Sequence, residues 1–144
     1  MLYTEMTKLA MRIAYNAHKE QVDKAGLPYI FHPYHLAEQM DDEVSVCVAL
    51  LHDVVEDTEV TFADLEAQGI SITVIESLNL LTHDDAIPYI EYVQRIKDSG
   101  KRSAIAVKLA DLRHNSDVSR FDTVDAKTIV RLEKYKTAIG ILEQ

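Results

Sequence analysis

Apolar residues recur with a helical period along nearly the whole chain. From Thr4 to Gln21 the positions Met6, Leu9, Ala10, Ile13, Ala14 and Ala17 fall three or four apart, which predicts an amphipathic helix capped by Thr4. Lys8, Arg12, His18 and Lys19 fall on its flanks and read as a solvated face. Gly26 and Pro28 break the pattern, and Pro33 disfavours an α conformation at His32. His32 is therefore expected in extended backbone, just ahead of a helix from Tyr34 to Met40. The run Val44 to Leu51 is apolar nearly all round, as in a buried helix.

Thr61 with Asp64 predicts a capping box that opens a helix over Phe62 to Gln68, ended by Gly69. Ser71 can cap a helix from Thr73 to Leu81, with Val74, Ile75, Leu78 and Leu81 as its apolar stripe. His83, Asp84 and Asp85 lie in a polar connection and read as loop, because three consecutive side chains rarely converge on one point. Pro88 suits the first turn of a helix to about Asp98, burying Tyr89, Val93 and Ile96 and stopped by Gly100. A helix over Arg102 to Asn115 places Ile105, Leu109 and Leu112 on one face and Lys108, Asp111, His114 and Asn115 on another. A last helix within Thr123 to Gln144 turns Ile129, Leu132, Tyr135, Ile139 and Leu142 toward the core. Every element is helical, so the expected fold is an all-α bundle of about seven to nine helices.

Composition narrows the picture. The 144 residues suit a single domain, 1–144, and four Gly with three Pro favour helices over a turn-rich β architecture. A formal charge of −9 argues against a nucleic-acid surface, so a polyanionic substrate would need a local cluster of Lys, Arg and metal. No run of 18 apolar residues occurs, and Met1 to Arg12 lacks a secretory apolar region, so no membrane association is expected. The single Cys47 lies within the apolar run and reads as a small buried hydrophobe, leaving the cytoplasm as the default compartment.

The stretch His52-Asp53-Val54-Val55-Glu56-Asp57-Thr58 carries the densest chemistry. If the preceding helix continues through it, His52, Asp53, Glu56 and Asp57 fall within an arc of roughly 140°. Carboxylates crowded at the end of a buried element repel one another unless a cation or hydrogen bonds compensate, and a divalent ion is the simplest compensation. The stretch by itself also fits a His-Asp pair at a helix end with Glu56 and Asp57 in solvent, and Lys108 with Asp111 also fits an exposed i,i+3 pair.

Collected, His32, His52, Asp53 and Asp111 form a metal set drawn from three elements. Mixed imidazole and carboxylate ligands suit Mn, Fe, Co, Ni or Zn, and argue against a calcium cage or a thiolate zinc site. Such an ion would leave positions for water and a phosphate oxygen, with Glu56 and Asp57 placed to orient or deprotonate the water. The reaction class is hydrolysis of a phosphate ester. No Ser-His-Asp arrangement, phosphate-cradling Gly-rich loop or dinucleotide fingerprint competes with it.

Gly26-Leu27-Pro28-Tyr29-Ile30 with His32-Pro33, then His52-Asp53-Val54-Val55-Glu56-Asp57-Thr58, then Lys108-Leu109-Ala110-Asp111 with His114-Asn115 resemble the HD-domain hydrolases of the RelA/SpoT type, most of all their small single-domain alarmone hydrolases. The resemblance implies an HD-domain helical bundle. It also implies a manganese-dependent 3′-pyrophosphohydrolase, acting on guanosine tetraphosphate or pentaphosphate, the nucleotides of the stringent response. It implies His32, His52, Asp53 and Asp111 as ligands of one divalent ion, Mn²⁺, Glu56 and Asp57 as the water-activating pair, and Lys24, Tyr29 and Asn115 as nucleotide contacts.

Two stretches depart from the family's pattern. Asp23 stands where an arginine is usual, and Leu112-Arg113 replaces Arg-Leu, which moves a guanidinium about 100° round the helix. No synthetase region follows, so synthesis of the alarmone is not expected. The expected partner is a small nucleotide, and a homo-oligomer is compatible with the sequence. Two other readings stay open: an HD phosphohydrolase for another nucleotide, and a non-catalytic nucleotide-sensing module that keeps its metal for stability.

Overall fold

The computed structural model describes residues Met1–Gln144 and is entirely helical apart from one isolated antiparallel bridge, Val22 with Pro28. The elements are α1 (Glu5–His18), α2 (Phe31–Glu38), α3 (Glu43–Leu51), α4 (Val54–Asp57), α5 (Phe62–Gln68), α6 (Ile72–Leu81), α7 (Tyr89–Ser99), α8 (Arg102–Asn115) and α9 (Ala126–Leu142), with a 3-10 turn at Val118–Arg120. No helix is long and apolar enough to cross a membrane.

The bundle is organised on α3, which packs against α1, α2, α6 and α8. Its residues Val46 to Leu51 are 0–1% exposed, and Cys47 is among them. Burying one such aliphatic side chain stabilises the fold by roughly 1.5–3 kcal/mol. The all-round apolar run is therefore the sequence of an element with no solvent face.

Local signals account for most helix ends. Thr4 accepts from the Thr7 amide while Thr7 Oγ1 accepts from the Thr4 amide at 2.7 Å, which closes a capping box. Thr61 and Asp64 do the same for α5, and Gly69, at φ 106°, ends that helix in the left-handed region that favours glycine. Helix α8 spans the segment expected of it.

Four expectations are corrected. First, α1 stops at His18, and His18 is buried instead of lying on a solvated flank. Second, His32 is helical, because α2 begins at Phe31. Pro33 is its third residue, where an amide has no intrahelical partner and proline forfeits nothing, and this outweighs the constraint on the preceding residue. Third, the central helix does not run on through Asp57. His52 ends it, Asp53 sits at φ −102°, ψ −4°, and the single turn α4 follows.

The fourth correction concerns which faces are buried. Helix α8 is enclosed by α2, α3, α6, α7 and α9, so its buried arc takes in Ala104, Val107, Ala110 and Leu112 together with Asp111. Ile105 and Leu109 are only partly covered. In α9, Leu142 is buried but Ile129 is 53% exposed, since it lies about 140° round the helix from Leu142.

Candidate metal centre and adjoining cavity

His32, His52, Asp53 and Asp111 converge from the first turn of α2, the junction between α3 and α4, and the last turns of α8. His32 Nε2 lies 2.9 Å from Asp111 Oδ1, and His52 Nε2 lies 3.0 Å from Asp53 Oδ2 and 3.5 Å from Asp111 Oδ1. Ligand atoms of His32, His52 and Asp53 all fall within 4.8 Å of one another. The break after α3 makes this possible. Successive residues of a continuous helix diverge by about 100°, whereas here His52 and Asp53 address one point.

Each donor is oriented by a further contact. His52 Nδ1 bonds the Ala49 carbonyl at 2.7 Å, which places its proton there and leaves Nε2 as the site-facing atom. That Nε2 is buried and makes no hydrogen bond, an orphaned position that a cation fits. His32 Nδ1 lies 2.7 Å from His114 Nδ1, and the two rings stack at 4.9 Å. Only one of those nitrogens carries the proton. Burial, followed by Arg120 and His32, pushes His114 down to about 4, so His114 is uncharged at neutral pH.

Asp111 is answered from three sides. Lys108 donates to Oδ2 at 2.9 Å and Asn115 Nδ2 to Oδ1 at 3.0 Å, beside His32. Burial disfavours its charge, but Lys108 and the imidazoles prevail and hold the carboxyl well below its ordinary value. Lys108 lies under the rings of Tyr89 and Tyr92, 5.8 and 5.4 Å from their centroids, so the ion pair is walled from solvent. For Asp53, burial is likewise overcome, here by His52 and by the Tyr29 hydroxyl that donates to Oδ2, and its carboxyl is lowered. Two carboxylates, two imidazoles and an inward lone pair together fit a divalent ion of the mixed nitrogen and oxygen class.

Glu56 and Asp57 stand on α4, directly after Asp53, with exposed side chains. Partial desolvation, followed by the Asp53 charge, raises both carboxyls above their ordinary values. A brace from α1 holds this turn: His18 Nδ1 bonds Gln21 Oε1 at 2.7 Å, and Gln21 Nε2 donates to the Asp57 carbonyl at 3.0 Å. Neither His18 nor Gln21 stood out in the sequence. The only signal available was a histidine in the last turn of an amphipathic helix.

Beside the cluster opens a cavity of about 340 Å³, lined in part by Lys24, Tyr29, Arg120, Phe121, Arg131 and Tyr135. Lys24, Tyr29 and Asn115, the expected nucleotide contacts, all line it, as does His32. Tyr29 and Asn115 thus touch both regions, since each also bonds a site carboxylate. Lys24 is pushed down, by burial and then by the nearby positive charges of Arg131 and Lys134. The cavity is cationic within a chain of formal charge −9. His83, by contrast, bonds the Ile87 carbonyl at 2.7 Å within its own loop.

No protein-family profile matches the chain. Among curated proteins it is 32% identical over 119 residues to the bifunctional (p)ppGpp synthase/hydrolase SpoT of Escherichia coli, an alignment spanning 74% of this chain and 17% of that protein. It is also 32% identical over 123 residues to the guanosine-3′,5′-bis(diphosphate) 3′-pyrophosphohydrolase MESH1 of Danio rerio, spanning 78% of this chain and 67% of the relative. The solved structure of a metazoan ortholog of SpoT, described as hydrolysing ppGpp, superposes with a TM-score of 0.80 at 21% identity, covering 99% of this chain and 88% of that one.

Proposed function

We propose that this chain, which belongs to the guanosine-3′,5′-bis(diphosphate) 3′-pyrophosphohydrolase family, is a metal-dependent phosphohydrolase that removes the 3′-pyrophosphate of guanosine tetraphosphate or pentaphosphate. The observation that carries the reading is the buried convergence of His32, His52, Asp53 and Asp111 beside a cationic cavity of nucleotide size. A likeness of fold alone would not specify a reaction. The convergent imidazoles and carboxylates, the acidic turn and the cation-lined cavity support this one.

In this reading His32, His52, Asp53 and Asp111 would hold one Mn²⁺, which would supply Lewis acidity toward water and phosphate. Glu56 and Asp57, whose carboxyls burial and the Asp53 charge raise above their ordinary values, orient the attacking water and take its proton. Water oxygen bonds to the phosphorus attached to the 3′-oxygen as the P–O3′ bond breaks. The 3′-oxygen departs with GDP or GTP and takes up a proton to become the 3′-hydroxyl, and pyrophosphate carries away the oxygen from water. Lys24 and Arg131 meet the nucleotide's remaining phosphates, while Tyr29 and Asn115 hold the boundary between cavity and cluster. The whole chain acts as one domain on a small nucleotide in the cytoplasm.

The deciding experiment incubates purified protein with Mn²⁺ and a nucleotide panel, and measures pyrophosphate and orthophosphate separately. Pyrophosphate from guanosine tetraphosphate is expected. Orthophosphate from other nucleotides would reassign the substrate, and no turnover by metal-loaded protein would leave a sensing module instead.

A further inference from the structure

Of the three cations lining the cavity, Arg120 alone has its charge answered by a carboxylate. Its Nη2 donates to Asp23 Oδ2 at 3.2 Å and its Nη1 to the His114 carbonyl at 2.8 Å, with the side chain only 16% exposed. Two anchors fix the plane of the guanidinium. Asp23 is fixed in turn, because its Oδ1 accepts from the amides of Ala25 at 2.8 Å and Leu27 at 3.0 Å. Lys24 and Arg131 have no carboxylate partner.

These two kinds of cation suit different parts of a nucleotide. Phosphates seek net positive charge, which Lys24 and Arg131 supply. A neutralised guanidinium held in one plane offers directed donors instead. Arginine carries five N–H groups and no acceptor, and two are spent on Asp23 and His114, so three are left. Phe121, with its ring centroid 5.8 Å from the guanidinium carbon, gives the same cavity a flat apolar wall. A donor-only group matches the adjacent O6 and N7 acceptors of a 6-oxopurine. It mismatches adenine, whose N6 is a donor.

We infer that Arg120, locked in place by Asp23, is the specificity-determining residue that selects a 6-oxopurine nucleotide over an adenine nucleotide in this cavity. The inference rests on the nucleotide reading above and adds the residue that reads the base. Asp23 is a positioning residue here, since both of its oxygens are occupied by protein donors.

Isothermal titration of Mn²⁺-loaded protein with GDP and with ADP tests this without requiring turnover. GDP is expected to bind about five- to a hundredfold more tightly than ADP, and Arg120→Lys, which keeps the charge but loses the planar fork, should cut that preference to within about twofold. Asp23→Asn retains an oxygen for the turn amides and frees the guanidinium, so it should reduce the preference with only a small fall in melting temperature and with manganese content near wild type. Equal binding of GDP and ADP by the wild type, or a full preference retained in both variants, overturns the inference. A protein that prefers GDP yet hydrolyses no 3′-pyrophosphate would sink the hydrolase reading and keep this one. Hydrolysis with base preference untouched by Arg120→Lys would do the reverse.

Discussion

The imidazole and carboxylate cluster takes its side chains from helices α2 and α8 and from the end of α3, whereas the adjoining cavity takes its charges from the turn before α2, the 3-10 turn after α8 and the face of α9. In the cluster both carboxylates have partners, and helices packed against α3 hold the donors in place. In the cavity Lys24 and Arg131 lack carboxylate partners, and the one fixed cation, Arg120, depends on a single aspartate and a carbonyl. The difference separates two kinds of information. In the proposed reading, the metal chemistry is written into the packed core, and choice of substrate mainly into short connections that can vary without disturbing it.

The largest effect should come from breaking the cluster. Asp111→Ala strands Lys108 as a buried unpaired charge, so we expect a loss of about 3–5 kcal/mol of stability. Metal content by elemental analysis should fall with it, and so should turnover. Next, Glu56→Gln and Asp57→Asn should each lower kcat by about 10²–10⁴-fold with manganese retained. Loss of metal in these variants would move the pair from the water to the ion.

Smaller effects should appear in the cavity. Lys24→Ala and Arg131→Ala each remove one uncompensated cation, and KM is expected to rise about ten- to a hundredfold with a smaller change in kcat. A dominant fall in kcat would mean that the two regions are not separable. The smallest effect concerns Asp23. Burial opposes its charge, but the Leu27 and Ala25 amides and Arg120 prevail, so its carboxyl lies below its ordinary value. A carboxyl lowered by folding stabilises the protein above the unfolded value of about 3.9, and that contribution is lost as pH falls through the lower folded value. Acid melting curves should therefore show the wild type's advantage over Asp23→Asn fading below about pH 4.

The same division governs how much could be read from sequence. Helix α5 and its caps followed from Thr61, Asp64 and Gly69, because capping is local chemistry. The chain similarity carried His32, His52, Asp53 and Asp111, and the structure brings all four together. Burial of Lys108 and Asp111 was not legible, since an i,i+3 ion pair has one spacing whether or not other helices enclose it. The break after His52 escaped for a similar reason, as nothing in His-Asp-Val-Val opposes a continuous helix. Arg120 and Gln21 act across 97 and 36 positions, through contacts that no local pattern records.

The span between the cluster's members also sets an order in time. Asp53 and Asp111 are 58 positions apart, so on a ribosome adding 5–20 residues per second the second carboxylate follows the first by about 3–12 s. Until α8 emerges, His32 and His52 lack the oxygen that lies 2.9 and 3.5 Å from them in the finished protein. If these four residues hold the ion as proposed, a nascent chain exposed to metal would offer an incomplete set of donors, and selection of the ion would be deferred to the folded product.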